Sequence, residues 1–371
     1  MLSGFLKEIK AIPPILETSH FPSLDGLRGI AILMVVFYHL NLSSNPYYTI
    51  ILNGKLGVLI FFVLSGFLIT TLCIKEKVTT NDISLKGFYI RRALRIFPVA
   101  YLYIFVVIVL NYIFKLNISY VSILAAAFYL MNLSSIFRKY FFSWETGHFW
   151  SLSVEEQFYL IVPVILKKNF KVYLLVILFI VFVLPVFLCL QYLFPVLNNN
   201  MVLYVFTHYL IKFQAIAVGC LLSVLTFKYS LNYSISVSTK IATNIVALFL
   251  IVYIQYDDFL SITNVFSGLI ISFLIGYIII TNITYQKDFI FKILNARLLK
   301  IIGVLSYSIY IWQQIFTSEN KNLPHLMITY PYNLIGIIAV SCLSYYFYES
   351  FFLKLKSRYS KIQKQKFVTI S

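Results

Sequence analysis

The chain has 371 residues, 60% of them hydrophobic and 12% charged, with a mean hydropathy of +0.87. A soluble domain carries about a quarter charged residues, so the composition excludes a water-soluble fold and describes an integral membrane protein. The net charge of +17 raises nucleic acid as a partner, and the positions of the basic residues, below, exclude it.

Phe and Tyr are abundant, 35 and 29 residues, as a helix bundle with broad interfacial aromatic belts requires. Cys73, Cys189, Cys220 and Cys342 lie far apart in apolar runs. Their spacing matches neither a zinc site nor a disulfide framework, so they read as core filler and no metal is expected. Residues 1–24 lack a long apolar core and a small-residue cleavage site, so they read as a cytoplasmic or interfacial segment rather than a removable signal peptide.

A spanning helix needs roughly 20 mostly apolar residues, within a range of about 17–25. The first candidate, 25–42, overlaps LDGLRGIAILMVVFYHL (Leu24 to Leu40), with Arg28 near its start and His39 near its end. Eleven residues at about 100° each return His39 to within roughly 20° of Arg28, about 16 Å further along the axis. The two side chains share a face at opposite depths. Ionisable groups inside a span are costly and mark function by default. The competing reading is that Arg28 snorkels and pairs with Asp25 at i, i+3, while His39 marks the outer interface.

The second candidate, 56–74, holds GVLIFFVLSGFLIT, where Ser65 and Gly66 predict close helix packing. Just before the third, 96–114, comes FYIRRALRIFPVAY. Arg91 and Arg95 are i, i+4, Arg92 and Arg95 are i, i+3, and Pro98 closes the group. Three arginines in five residues suit phosphate, which their forked donors bind with charge-assisted hydrogen bonds. A positive-inside anchor is the alternative.

The apolar piece 118–136 decides the topology. If it dips in and returns, and both termini are cytoplasmic, 24 of the 30 Lys and Arg fall on the cytoplasmic side. A full crossing would scatter them. The segment near 118–147 is therefore expected to be re-entrant, which requires protein or a water-filled cavity around it.

The next span, 148–166, begins HFWSLSVEEQFYL. His148, Ser151, Glu155 and Tyr159 form one helical stripe. Read instead as a capping box, Ser153 to Glu156 would leave a helix too short to cross, so the helix is expected to start near His148. That start places Glu155 at the depth of His39, where a carboxylate would fix the imidazole tautomer and raise its basicity. Spans at 172–194, 203–226, 239–256, 259–282, 300–317 and 332–353 bring the count to ten. His208 and Lys212, i, i+4 in the sixth, read as snorkelling and packing residues. The basic tail 354–371 reads as a cytoplasmic anchor attracted to anionic lipid. The expected fold is an all-α polytopic membrane bundle of about ten helices plus the re-entrant segment.

Five segments in order, LDGLRGIAILMVVFYH, GVLIFFVLSGFLIT, FYIRRALRIFPVAY, HFWSLSVEEQFYLIVP and IGVLSYSIYIWQ, resemble the acyltransferase-three family of integral membrane O-acyltransferases. The resemblance covers about residues 22 to 352 and implies one membrane acyltransferase domain over 25–353. It also implies transfer of an acyl group, usually acetyl, from cytoplasmic acyl-CoA to a carbohydrate hydroxyl on the far side of the membrane. The acceptor class is O-antigen, capsule or exopolysaccharide, and the setting is a bacterial cytoplasmic (inner) membrane. Acetyl-CoA is then a co-substrate and no cofactor is bound.

Carried over residue by residue, Arg28 and His39 match the family's Arg–His pair. Arg92 and Arg95 match its donor-binding element, Glu155 its acidic residue after Trp-Ser, and Glu349 a late glutamate. His148, Trp150, Ser151 and Tyr159 are supporting residues. Two departures stand out: Gln313 occupies a position where members often carry histidine, and no proline follows Glu349. The implied mechanism has the acyl-CoA phosphates held by Arg91, Arg92 and Arg95 and the thioester reaching His39. His39 then acts as general base or as a covalent acyl carrier. A transporter or flippase for a lipid-linked glycan is the rival class.

Overall fold

The computed structural model describes residues 6–18, 20–42, 48, 52–135, 143–194, 196–197, 200–229, 236–256, 264–283 and 288–358, and among them there is no strand. The long helices are α1 (Leu24–Leu40), α2 (Gly54–Thr80) and α3 (Leu85–Phe114). After the short α4 (Tyr120–Ala127) follow α5 (Trp144–Lys168), α6 (Phe170–Leu193) and α7 (Met201–Tyr229). Then come α8 (Val237–Tyr256), α9 (Asn264–Asn282), the short α10 (Phe289–Leu294) and α11 (Arg297–Phe316), and finally α12 (Tyr332–Ser357).

Eight of these are long and apolar enough to cross a bilayer. The other two predicted spans correspond to α1 and α9, of 17 and 19 residues. At about 1.5 Å per residue, 17 residues reach about 26 Å, a little short of a hydrocarbon core of about 30 Å. The chain is thus an all-α polytopic membrane protein. Most of the basic tail 354–371, and residues 136–142 of the expected re-entrant segment, lie outside the described residues.

The helix boundaries have local causes. Asn53, Ser84, Asn169 and Asn200 cap α2, α3, α6 and α7, each side chain accepting from a first-turn backbone N–H. Asn41, Asn81 and Lys115 end α1, α2 and α3 in the left-handed region, at φ 45°, 58° and 50°. Where the sequence suggests that Pro98 marks the entry to a span, α3 runs unbroken from Leu85, with the arginines inside it. The third helix is therefore eleven residues longer at its start than the predicted 96–114.

The chain divides into two units, residues 1–81 with 158–304, and 82–157 with 305–371. The division falls within α5 and α11. In the first unit α2 and α7 cross backbone to backbone. A Cβ on Gly66 would collide with Ile216 O, and one on Gly219 with Val63 O, which is the close packing that Ser65-Gly66 predicts. Thr71 and Ser223 hydroxyls meet at 2.8 Å beside this crossing. Near the N-terminus, Lys75 on α2 donates to Leu16 O and Thr18 O, and Lys77 pairs with Glu8 at 2.9 Å. A buried ion pair, Lys240 to Asp288 at 2.7 Å, ties α8 to the start of α10, and Asp288 also caps α10 at Phe291 N.

In the second unit the chain between α3 and α5 is held by side chains rather than by length. The eight residues of α4 span about 12 Å and cannot cross a bilayer. Asn111 exchanges two hydrogen bonds with the Ile118 backbone, and Tyr101 donates to Ala127 O. Ser122 meets Thr146 at 2.7 Å, and Met131 N donates to Ser153 Oγ. Gln157 donates to Tyr129 O and exchanges hydrogen bonds with Asn132. Irregular backbone at membrane depth needs such partners. Ser153 lies within α5 and its hydroxyl also donates to Phe149 O. It is not a cap, and the helical run begins before it, at Trp144, as the length argument requires.

Candidate active site

In the first unit the N-terminal end of α1 lies against residues 294–303. A Cβ on Gly26 would strike Leu294 O, and one on Gly303 would strike Asp25 O, so the glycines of the LDGLRG run permit a backbone approach that alanine would block. Ser23 and Asn295 add a side-chain hydrogen bond of 2.9 Å. On this anchored turn Arg28 donates to Asp25 at 3.0 Å, and His20 lies 3.6 Å from the same carboxylate. The i, i+3 pairing weighed for Arg28 is therefore present.

At the other end of α1 the His39 Nδ1 lies 2.9 Å from Val35 O. A carbonyl can only accept, so Nδ1 carries the proton. In the neutral ring the lone pair then sits on Nε2. The helix's own backbone thus helps to orient the ring. Tyr159 also belongs to this unit and is fully buried. Lys212 sits in a tight turn within α7, Ile211–Phe213, and His208 stacks on Tyr204 with ring centres 4.0 Å apart.

In the second unit α3 and α5 bring Arg92 to both glutamates of the Val-Glu-Glu run. Arg92 Nη2 lies 3.1 Å from Glu156 Oε1 and 4.0 Å from Glu155 Oε2, and all three side chains are less than one quarter exposed. The low exposure of the group strengthens each interaction over a surface pair. The Arg91 guanidinium lies over Gly87 on its own helix. Arg95 is within Coulomb range of Glu349, whose carboxylate accepts from Ser308 at 2.6 Å.

His148 is buried and meets Tyr103 and Tyr310 edge-on, with ring centres 5.2 and 5.6 Å away. Ser151 and Tyr310 share a 2.7 Å hydrogen bond, and the Tyr310 hydroxyl lies 2.9 Å from His148 O. Trp150 is half-buried on α5. Of the predicted residues, the second unit thus groups Arg92 with Glu155, Arg95 with Glu349, and His148 with Ser151. The first unit holds Arg28, His39 and Tyr159.

Several residues escaped the sequence reading. Glu145 is buried, accepts from Ser143 and Ser318, and offers its backbone carbonyl to Tyr103. Its signal was a carboxylate three residues before His148. Tyr307 and Tyr310 are i, i+3 in the Tyr-Ser-Ile-Tyr run, and Tyr307 donates to Ile96 O. Tyr129 carried no sequence signal. Among the described residues no group of three potential ligands could hold a metal ion.

A family model described as an acyltransferase domain matches residues 21–349. The chain is 32% identical over 331 residues to "Peptidoglycan O-acetyltransferase OatA" of Listeria monocytogenes, covering 84% of this chain and 51% of the relative. It is also 32% identical over 324 residues to "O-acetyltransferase OatA" of Staphylococcus aureus, covering 82% of this chain and 52% of the relative. The chain spans about half the length of the curated relatives it matches. No solved structure matches it.

Proposed function

Because the chain belongs to the acyltransferase domain family, we propose that it is a membrane O-acyltransferase. In this reading it moves an acyl group, acetyl by default, from cytoplasmic acyl-CoA to a hydroxyl of a cell-surface or lipid-linked carbohydrate. The names of the relatives favour a cell-wall glycan over O-antigen or capsule as the acceptor. The distribution of Lys and Arg supports a cytoplasmic membrane with both termini inside.

The observation that carries the reading is His39. Its Nδ1 proton is committed to Val35 O, which leaves Nε2 as the base a hydroxyl nucleophile requires. Arg28, about 16 Å away on the same face, marks the cytoplasmic end of the path. The acceptor O–H gives its proton to His39 Nε2 as its oxygen attacks the thioester carbonyl. The carbon–sulfur bond breaks, and the CoA thiolate leaves with that proton. The alternative order forms an acyl-His39 first and transfers it to the hydroxyl second. Arg91, Arg92 and Arg95 suit the donor's phosphates by charge and fork geometry. For Arg92 such a contact is shared with, or exchanged for, Glu155 and Glu156.

The test is acetyl transfer by the purified protein from labelled acetyl-CoA to glycan strands released from the producing cell's envelope. Transfer by wild type and its loss in His39→Gln are expected. A flippase has no need of acyl-CoA, so a protein that binds none and still moves a lipid-linked glycan would replace this reading.

A further inference from the structure

Two ionisable side chains of the first unit, His208 and Lys212, take no part in the mechanism above. They lie one turn apart on α7, and Tyr204 lies one turn before them. In the topology proposed above α7 enters the membrane at Met201 from the outer side, so its first half meets what arrives from outside. His39 belongs to the same unit.

The three residues form one stripe at i, i+4 and i+8. Tyr204 is 41% exposed, and His208 and Lys212 are half-buried. The His208 ring stacks on Tyr204 at 4.0 Å, and its Nδ1 lies 2.9 Å from Tyr204 O. A carbonyl only accepts, so the neutral ring carries its proton on Nδ1 and its lone pair on Nε2. Lys212 sits in the tight turn Ile211–Phe213, a break of the kind that often marks a functional position in a helix.

Lys212 is too deep to snorkel. Thr207 on α7 donates to Gln191 on α6 at 3.1 Å, which sets these two residues at one level. From there α6 continues only to Leu193, while α7 runs on inward to Lys212. At about 1.5 Å per residue Lys212 therefore starts about 10 Å below the outer end of α6, with the cytoplasmic end of α7 about 25 Å away. A four-carbon stem covers neither distance. An ammonium at that depth is costly against lipid and is retained where it faces a polar path or a ligand.

We propose that Tyr204, His208 and Lys212 line a binding subsite for an acidic carbohydrate acceptor. The Lys212 ammonium pairs with an oxyanion of the acceptor, and His208 Nε2 accepts a hydrogen bond from one of its hydroxyls. The assignment rests on the acyltransferase reading and names the substrate class of that reaction. One helical turn, about 6 Å, separates the two residues, so one sugar and its charged substituent reach both. No bond forms or breaks at the subsite. A carboxylate on the glycan and a phosphate on a lipid carrier are the two sources of such an oxyanion.

Chemistry on the acceptor tests this without a variant. Acyl transfer from labelled acetyl-CoA is measured with released glycan strands, with the same strands after amidation of their carboxylates, and with lipid-diphosphate-linked glycan amidated in the same way. Loss of the paired charge should raise KM for the acceptor about 10–100-fold, with KM for acetyl-CoA nearly unchanged. A rise on amidation assigns the oxyanion to the glycan carboxylate, and a low KM for the lipid-linked form assigns it to the phosphate. Lys212→Met should show the raised KM with every acceptor and no response to masking, and Lys212→Arg should restore most of the affinity. Calorimetric titration of wild type and Lys212→Met with the strands, in the absence of acyl-CoA, reads the subsite without turnover. A wild type indifferent to both carboxylate and diphosphate overturns the assignment, as does a Lys212→Met variant that still distinguishes charged from masked acceptors. A wild type that binds the strands through Lys212 but transfers no acyl group would sink the proposed function and leave the subsite standing.

Discussion

Replacing Asp288 by alanine should destabilise the first unit out of proportion to the size of the change. Asp288 and Lys240 meet at 2.7 Å with side chains 0% and 2% exposed, so the substitution leaves an ammonium buried without its counter-ion. Breaking such a pair from one side costs about 3–5 kcal/mol. Asp288 also caps α10 through Phe291 N at 2.8 Å, a contact worth about 1 kcal/mol. The same carboxylate makes both contacts, so about 4 kcal/mol is the expected loss. For a domain of 150–250 residues each kcal/mol moves the midpoint by about 2–4 °C, which predicts a drop of at least about 8 °C in a detergent melt followed by tryptophan fluorescence. The double variant Lys240→Met with Asp288→Leu should recover most of this, because replacing both ions with apolar groups is often neutral or better.

The pH dependence has a definite sign. Burial raises the Asp288 carboxyl, but hydrogen bonds from Lys240 and the Phe291 and Ile290 N–H groups, with the Lys240 charge, outweigh it and hold the group below its ordinary 3.8. A carboxylate lowered in the folded state contributes stability above its unfolded value and loses it as pH falls through the folded one. The gap between wild type and Asp288→Ala should therefore be constant near neutrality and close below about pH 4. An alanine variant within about 1 °C of wild type at pH 7, or a double variant no better than the single one, would refute the buried-pair argument.

Other outcomes follow from the same geometry. His39→Gln should lower acyl transfer by at least about 10²-fold with melting unchanged, and radiolabelled acyl-protein trapped in wild type without acceptor would identify the covalent order. Arg92→Lys should fail to restore what Arg92→Ala loses, since an ammonium cannot span Glu155 and Glu156 as a forked guanidinium does; activity and acetyl-CoA binding read this together. Gly66→Val should cost about 3 kcal/mol or more, because the new side chain meets Ile216 backbone; lowered yield and melting in detergent are the measures.

Much of the architecture was legible because it depends on local sums. Hydropathy over about 20 residues is a property of contiguous sequence, and all ten predicted spans coincide with helices. The caps at Asn53, Asn169 and Asn200 are local in the same way, although the sequence reading did not single them out. So is the shared face of Arg28 and His39, which follows from helical pitch.

What the tertiary structure decided is partner choice. Arg92 reads as a phosphate ligand, and only packing shows that α5, 64 residues later, also brings Glu156 to it. The His39 Nδ1 proton goes to Val35 O four residues back, a bond available to it on any helix and visible only once the rotamer is known. Nothing in LDGLRG itself shows that the Leu294 and Leu299 carbonyls lie against Gly26 and Gly29. Tyr129 was silent in the sequence because a positive φ and an unpaired hydroxyl are properties of placement. Helix rotation and register are set by the sum of distant contacts, so the pattern of apolar residues dictates which segments become helices, and only their packing dictates which polar groups meet.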